Sequence, residues 1–172
     1  MVERYLPAGQ GWSTGDIAGL RETFTTLYPM DDSELGTHAQ GLARTAPEGY
    51  VLKPQREGGG NNIYRADIPG FLDELAREPL AEGEPPKREG YILMSLIEPP
   101  LGLKNLLVKG GQADVKSGEV VSELGVYGVA LFDSSEVKVN VGAGTLLRTK
   151  GRESDEGGVA VGYSVVDSMV LV

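Results

Sequence analysis

From Tyr91 to the last residue the chain is a succession of β-branched and aromatic runs cut by Gly, Asp and Ser. YILMSLI, LKNLLVK, EVVSELGVYGVALF, EVKVNV and VAVGYSVVDSMVLV are each too short or too β-rich for a helix, and turn-forming residues separate them. The second half is therefore expected to be mainly antiparallel sheet, with Asp133, Ser134 and Ser135 forming a hairpin between two of the runs.

The first half reads differently. Asp16 is placed to cap a helix carrying Ile17, Leu20, Phe24 and Leu27 on one face, with Pro29 as its stop. A weaker helical stretch spans Thr37 to Arg44, YVLK at 50–53 reads as a short buried strand, and Asp67 with Pro69 opens a helix that packs through Phe71, Leu72 and Leu75. The following EPLAEGEPPKREG is rich in Pro, Gly and charge and reads as a solvated connection inside one domain. These elements make an α+β chain with its few helices in the first half, organised as one domain over 1–172.

Several functions are excluded by inventory. A net charge of -9 and a pI near 4.7 disfavour nucleic acid or an anionic membrane as partner, since both select basic surfaces. With no cysteine there is neither thiolate chemistry nor a disulfide framework. No apolar run is long enough to span a bilayer and the start lacks the order of a secretory signal, so a cytoplasmic location is expected. His38 has no second His or Cys to work with, and Trp12 and the tyrosines read as packing aromatics.

The strongest local signal follows the 50–53 strand: Lys53, Pro54, Gln55, Arg56, Glu57, Gly58, Gly59, Gly60, Asn61 and Asn62. Three consecutive glycines are kept where backbone must turn sharply or approach a ligand closely. Their N–H groups suit phosphate oxygens, Lys53 suits phosphate charge, and Glu57 suits a hard cation such as magnesium. The segment fits neither the P-loop nor the dinucleotide-binding pattern, so a flexible surface turn remains the competing reading of the local composition. A second cluster, LLRTK at 146–150 before GRESDEGGVAVG, again sets cations beside a Gly loop; Arg148 suits a carboxylate, Lys150 a phosphate or purine, and a solvated strand end is the alternative. Glu123 lies inside an apolar run and either finds a partner or points outward by strand alternation.

YVLKPQREGGGNNIY resembles the Gly-rich ATP loop of the eukaryotic glutathione synthetase family, within the ATP-grasp superfamily. YILMSLIEP, VVSELGVYGV, LLRTK and GGVAVG follow in that family's order, and the resemblance extends from MVERYLPAGQ to VVDSMVLV. It implies an ATP-grasp fold, with a Gly-rich ATP loop at 53–64 and a Gly/Ala-rich lid at 151–162. It also implies ligation of γ-glutamylcysteine to glycine through an acyl phosphate, with ATP and magnesium.

By position, Lys53 through Asn62, Tyr64, Met94, Ser95, Leu96, Ile97, Glu123, Lys150 and Glu156 would contact ATP and Glu57 would hold magnesium. Arg148 would bind a substrate carboxylate as the catalytic cation, and Val159 and Ala160 would meet the dipeptide through backbone. Ser95-Leu96 departs from an acidic-basic pair common in the family. Family chains are longer, and the resemblance aligns Met1 with an interior position. It therefore implies that the rest of the magnesium site, a further ATP lysine, most of the dipeptide pocket and a homodimer surface belong to the full-length protein, and that the portion here is inactive alone. A non-catalytic nucleotide-binding or regulatory paralogue is the alternative.

Overall fold

The computed structural model describes residues 11–55, 60–108, 115–133, 136–155, 158–159 and 164–169. The chain divides into two compact units, Met1–Ile97 and Glu98–Val172.

The first unit opens with α1, Thr14–Glu22. Its N-cap is Ser13, one turn earlier than expected: Ser13 Oγ accepts from the Asp16 N–H at 3.1 Å while the Asp16 carboxylate accepts from the Ser13 N–H at 2.8 Å. Asp16 is thus the returning arm of a capping box and not the cap itself. The Ser13 hydroxyl and N–H hold its carboxyl below the ordinary range. The helix also stops sooner. Thr23, Phe24, Thr25 and Thr26 are poor helix formers, and the edge of the sheet recruits the chain: Thr25 Oγ1 donates to the Ser95 carbonyl at 3.0 Å and the Ser95 N–H donates to Thr26. Leu27 therefore belongs to β1, Leu27–Pro29, and Phe24 is exposed, leaving Ile17 as the buried residue of α1.

Ser33 caps α2, Glu34–Thr45, by accepting from the Gly36 N–H. A Cβ at Gly36 would stand 2.3 Å from the Asp31 carbonyl, so glycine is required there. The helix ends at Ala46, and Pro47–Gly49 forms a 3-10 turn into β2, Tyr50–Pro54. Then come β3, Ile63–Tyr64, α3, Asp67–Arg77, and β4, Tyr91–Ser95. The strands form an antiparallel sheet in the order β1-β4-β2-β3. Leu52 and Leu93 sit opposite each other on the two central strands and are fully buried with Met30, Ala39, Ala43, Ile68 and Leu72. Arg44 and Asp73 pair at 2.8 Å between the two helices.

The Pro- and Gly-rich stretch before β4 lies inside this unit, as the sequence suggested, but it is pinned: Lys87 pairs with Glu78 at 2.7 Å, Arg88 with Asp32, and the Gly90 carbonyl accepts from Gln55. Glu78 holds the Lys87 ammonium above its ordinary value.

The second unit is an antiparallel sheet in the order β5-β6-β7-β8, formed by Lys104–Val108, Val115–Phe132, Val137–Gly151 and Val165–Asp167. β6 pairs first with β5 and then, from Val120, with β7, so the two long strands run out as a ribbon. Its turn has the Asp133 N–H donating to the Glu136 carbonyl at 3.0 Å, in line with the expected hairpin; Ser134 and Ser135 are outside the described residues. Tyr127, Val129, Leu131, Val139 and Val141 share one face of the ribbon and are exposed. That is an apolar strip of the kind normally covered. No described helix is long and apolar enough to cross a membrane.

The central rung predicts a local stability effect. Leu93→Ala should lower the unfolding free energy of the first unit by about 2–5 kcal/mol, whereas Phe24→Ala, at an exposed site of the same unit, should stay within about 0.5 kcal/mol. Urea titration of both variants checks this.

Candidate functional site

Side chains alternate along a strand, so the burial of Leu52 and Leu93 against the helices fixes what their neighbours do. Val51 pairs with Met94 and Lys53 with Ile92, and Tyr64 pairs with Val51 from the other side. Lys53, Met94 and Tyr64 therefore share the sheet face opposite α2 and α3, around Val51, which is only 2% exposed. Three residues expected at the nucleotide, drawn from three strands, come together on one surface.

The rest of the Gly-rich segment leads around the sheet edge. Pro54, Gly60, Asn61 and Asn62 line a groove of about 1040 Å³ on the helix side, with Phe71 and Tyr91 packed edge to face at 5.4 Å beside it. Gly60 has φ +76° and open space where a Cβ would be, as a turn near a ligand requires. Asn62 Nδ2 donates to Tyr64 Oη at 3.1 Å, tying the loop's exit to the opposite face. Gln55 is exposed; Arg56, Glu57, Gly58 and Gly59 lie outside the described residues.

At the end of β4, the Ser95 N–H is given to Thr26 and the Leu96 N–H to Gly49, while Ile97 is 77% exposed. Backbone donors at the family's acidic-basic position are thus already engaged.

In the second unit the cross-strand register does the corresponding work. Glu123 lies directly opposite Arg148 and Val121 opposite Lys150. The Glu123 carboxylate accepts from Arg148 Nη2, both side chains remaining about two-fifths exposed, and Lys150 Nζ donates to the Asp155 carbonyl at 3.2 Å. Glu123, Arg148 and Lys150 so occupy one face. Glu123 is neither a buried orphan nor a free acid; it orients the arginine, whose five N–H donors leave capacity for a further carboxylate. Val159 is 37% exposed, and Glu156 and Ala160 fall outside the described residues.

The opposite face carries residues that sequence reasoning passed over. Thr149 is 1% exposed and donates to Asp167 Oδ2 at 2.8 Å, with Ser122 Oγ at 3.0 Å on its other side. The signal was available in LLRTK, because a residue between two exposed cations in a strand points the other way.

For metal, no three His, Cys, Asp or Glu side chains stand together among the described residues, and Glu57 is not one of them. For ATP the donor set fits: a strand-end lysine, a positive-φ glycine and two amide side chains in sequence.

An exposed pair such as Glu123 and Arg148 is screened by water. A double-mutant cycle with Glu123→Ala and Arg148→Ala should give a coupling of about 0.2–1 kcal/mol in urea denaturation, falling at high salt.

Residues 1–171 match the family described as "Eukaryotic glutathione synthase, ATP binding domain". The chain is 42% identical over its whole length to the chloroplastic glutathione synthetase of Solanum lycopersicum, of which it covers 28%. It is 40% identical to the Xenopus laevis glutathione synthetase, covering 34% of it, and 41% identical to the human one over 98% of this chain and 33% of that protein. Among solved structures, a glutathione synthetase-like effector (GSS30) from Globodera pallida, in its apo form, superposes with a TM-score of 0.59 at 22% identity, over 92% of this chain and 30% of that one. The chain spans about a third of the length of these relatives. Fold, motif order and sequence similarity together make it a member of the eukaryotic glutathione synthetase family, matching that family's ATP-binding domain.

Proposed function

We propose that this chain supplies the ATP-binding part of a glutathione synthetase, which joins γ-glutamylcysteine to glycine at the expense of ATP with magnesium. The observation that carries the reading is the match to the family's ATP-binding domain over residues 1–171. The shared faces of Lys53, Tyr64 and Met94 and of Glu123, Arg148 and Lys150 support it.

Within that reaction the cysteinyl carboxylate attacks the γ-phosphorus of ATP, ADP leaves, and the glycine amine displaces phosphate from the acyl phosphate. Magnesium, when bound, would supply charge neutralisation at the phosphates. The protein's own groups bind and orient. Lys53 neutralises phosphate, the loop through Asn62 supplies N–H and amide donors, and Tyr64 and Met94 to Ile97 flank the nucleotide. Glu57 supplies oxygen to the metal. Arg148, kept in line by Glu123, holds the dipeptide carboxylate, Lys150 and Glu156 serve the nucleotide, and Val159 and Ala160 offer backbone to the dipeptide. Such catalysis is positional and electrostatic. The remaining two thirds of the family's length supplies the other walls of the site, so turnover belongs to the complete fold. The same reading sets the work in the cytoplasm, with no nucleic-acid or membrane partner and with homodimerisation a property of the longer protein.

Calorimetry with Mg-ATP tests it. The 172-residue chain should show magnesium-dependent heat, weakened about tenfold or more in Lys53→Ala and Glu57→Ala, as expected for lost charge-assisted contacts. Phosphate release with both substrates should be absent from the chain alone. No magnesium-dependent heat from the wild type would overturn the proposal.

A further inference from the structure

Each of the four strands of the second sheet contributes one side chain to a polar row. Asn105 comes from β5, Ser122 from β6, Thr149 from β7 and Asp167 from β8. Asp167 Oδ2 accepts from Thr149 at 2.8 Å and lies 3.5 Å from Asn105 Nδ2, while its Oδ1 accepts from the Ser168 N–H at 2.8 Å. Because the Thr149 hydrogen goes to a carboxylate, Ser122 is the donor in the 3.0 Å contact between the two hydroxyls. The chain of donors thus runs in one direction and ends on Asp167.

We infer that this row, with Asp167 at its end, is a positioning device that fixes the register of β7 and thereby presents Arg148 and Lys150 on the opposite face. The inference rests on the ligand-binding reading of those two cations. Its physical basis is alternation: sliding β7 by one residue would turn both cations away and bring Thr149 to their face. Packing alone resists such a slip weakly along the ribbon, where apolar residues lie exposed on the strands. The Glu123–Arg148 pair is solvent-screened. A buried threonine resists it strongly, because the slip would part its hydroxyl from Asp167 and Ser122 and leave the carboxylate without that donor. Valine would fill the same volume without that discrimination. The placement is also apt, since β8 pairs with β7 over Leu147 to Thr149, the segment that contains Arg148.

Three readouts on the 172-residue chain test this, with Thr149→Val and Asp167→Ala as disrupting variants and Thr149→Ser and Asp167→Asn as conservative ones. They are amide hydrogen exchange at Leu147 to Lys150, the NMR signal of the Arg148 Nε–H group, and the affinity for Mg-ATP. In the disrupting variants, exchange at 147–150 should speed about tenfold or more, as for loss of a hydrogen bond to a charged group. The Arg148 signal should move toward that of a free guanidinium while the amides of Tyr50 to Lys53 stay unchanged. Thr149→Ser should restore both signatures and Asp167→Asn part of them. Unchanged exchange and an unchanged Arg148 signal in both disrupting variants would overturn the inference. Wild-type failure to bind Mg-ATP, with the exchange and arginine signatures as predicted, would instead sink the ligase reading and leave the register device standing.

Discussion

Leu52 and Leu93, facing each other on the central strands of the first sheet and shielded by α2 and α3, set the orientation of everything around them. A strand has two faces and no intermediate choice. Once those leucines are committed to the core, Lys53, Met94 and, through its pairing with Val51, Tyr64 must look the other way. The apolar interior thus decides which polar groups can meet a nucleotide, without contact between the leucines and any ligand. A slip of one residue in β2 would bury the lysine and expose the core together, which makes the arrangement hard to lose while the unit stays folded.

The second unit applies the same alternation with a different anchor. Its sheet has few buried apolar side chains among the described residues, Val120 being one, and its ribbon leaves an apolar strip from Tyr127 to Val141 uncovered. Polar pairing therefore takes a larger share of specifying structure. The cations stand on one face with Glu123, and the Thr149–Asp167 contact stands on the other. The strip continues the cation-bearing face. Relatives of this family are about three times longer than the matched segment.

Much of this was legible in the sequence. The β-rich second half, the buried strand at Tyr50 to Pro54 and the helix through Leu72 follow from periodicity, because burial of one face is what writes the pattern. The motif order identified the family. The failures were local and physical. Asp16 looked like a cap because acid at a helix start is common, but the Ser13 hydroxyl accepts the N–H of Asp16 itself, so the helix starts earlier and the Asp16 carboxylate turns back to the Ser13 N–H. Phe24 and Leu27 extended the apolar spacing of α1, yet the edge of β4 offered its backbone partners to that stretch instead. The pairing of Glu123 with Arg148 was not legible, since residues 25 apart meet only once strand register is fixed. Thr149 could have been read from alternation alone; its partners could not.

The most direct test of the account is to map backbone and side-chain NMR shifts of the chain on titration with Mg-ATP. The account predicts that Lys53, Tyr64 and Met94 shift together along with Gly60 to Asn62, while Leu52, Leu93 and the α2 alanines stay in place. Shifts concentrated on Leu52, Leu93 and the α2 alanines, or none on the face that bears Lys53, would contradict it.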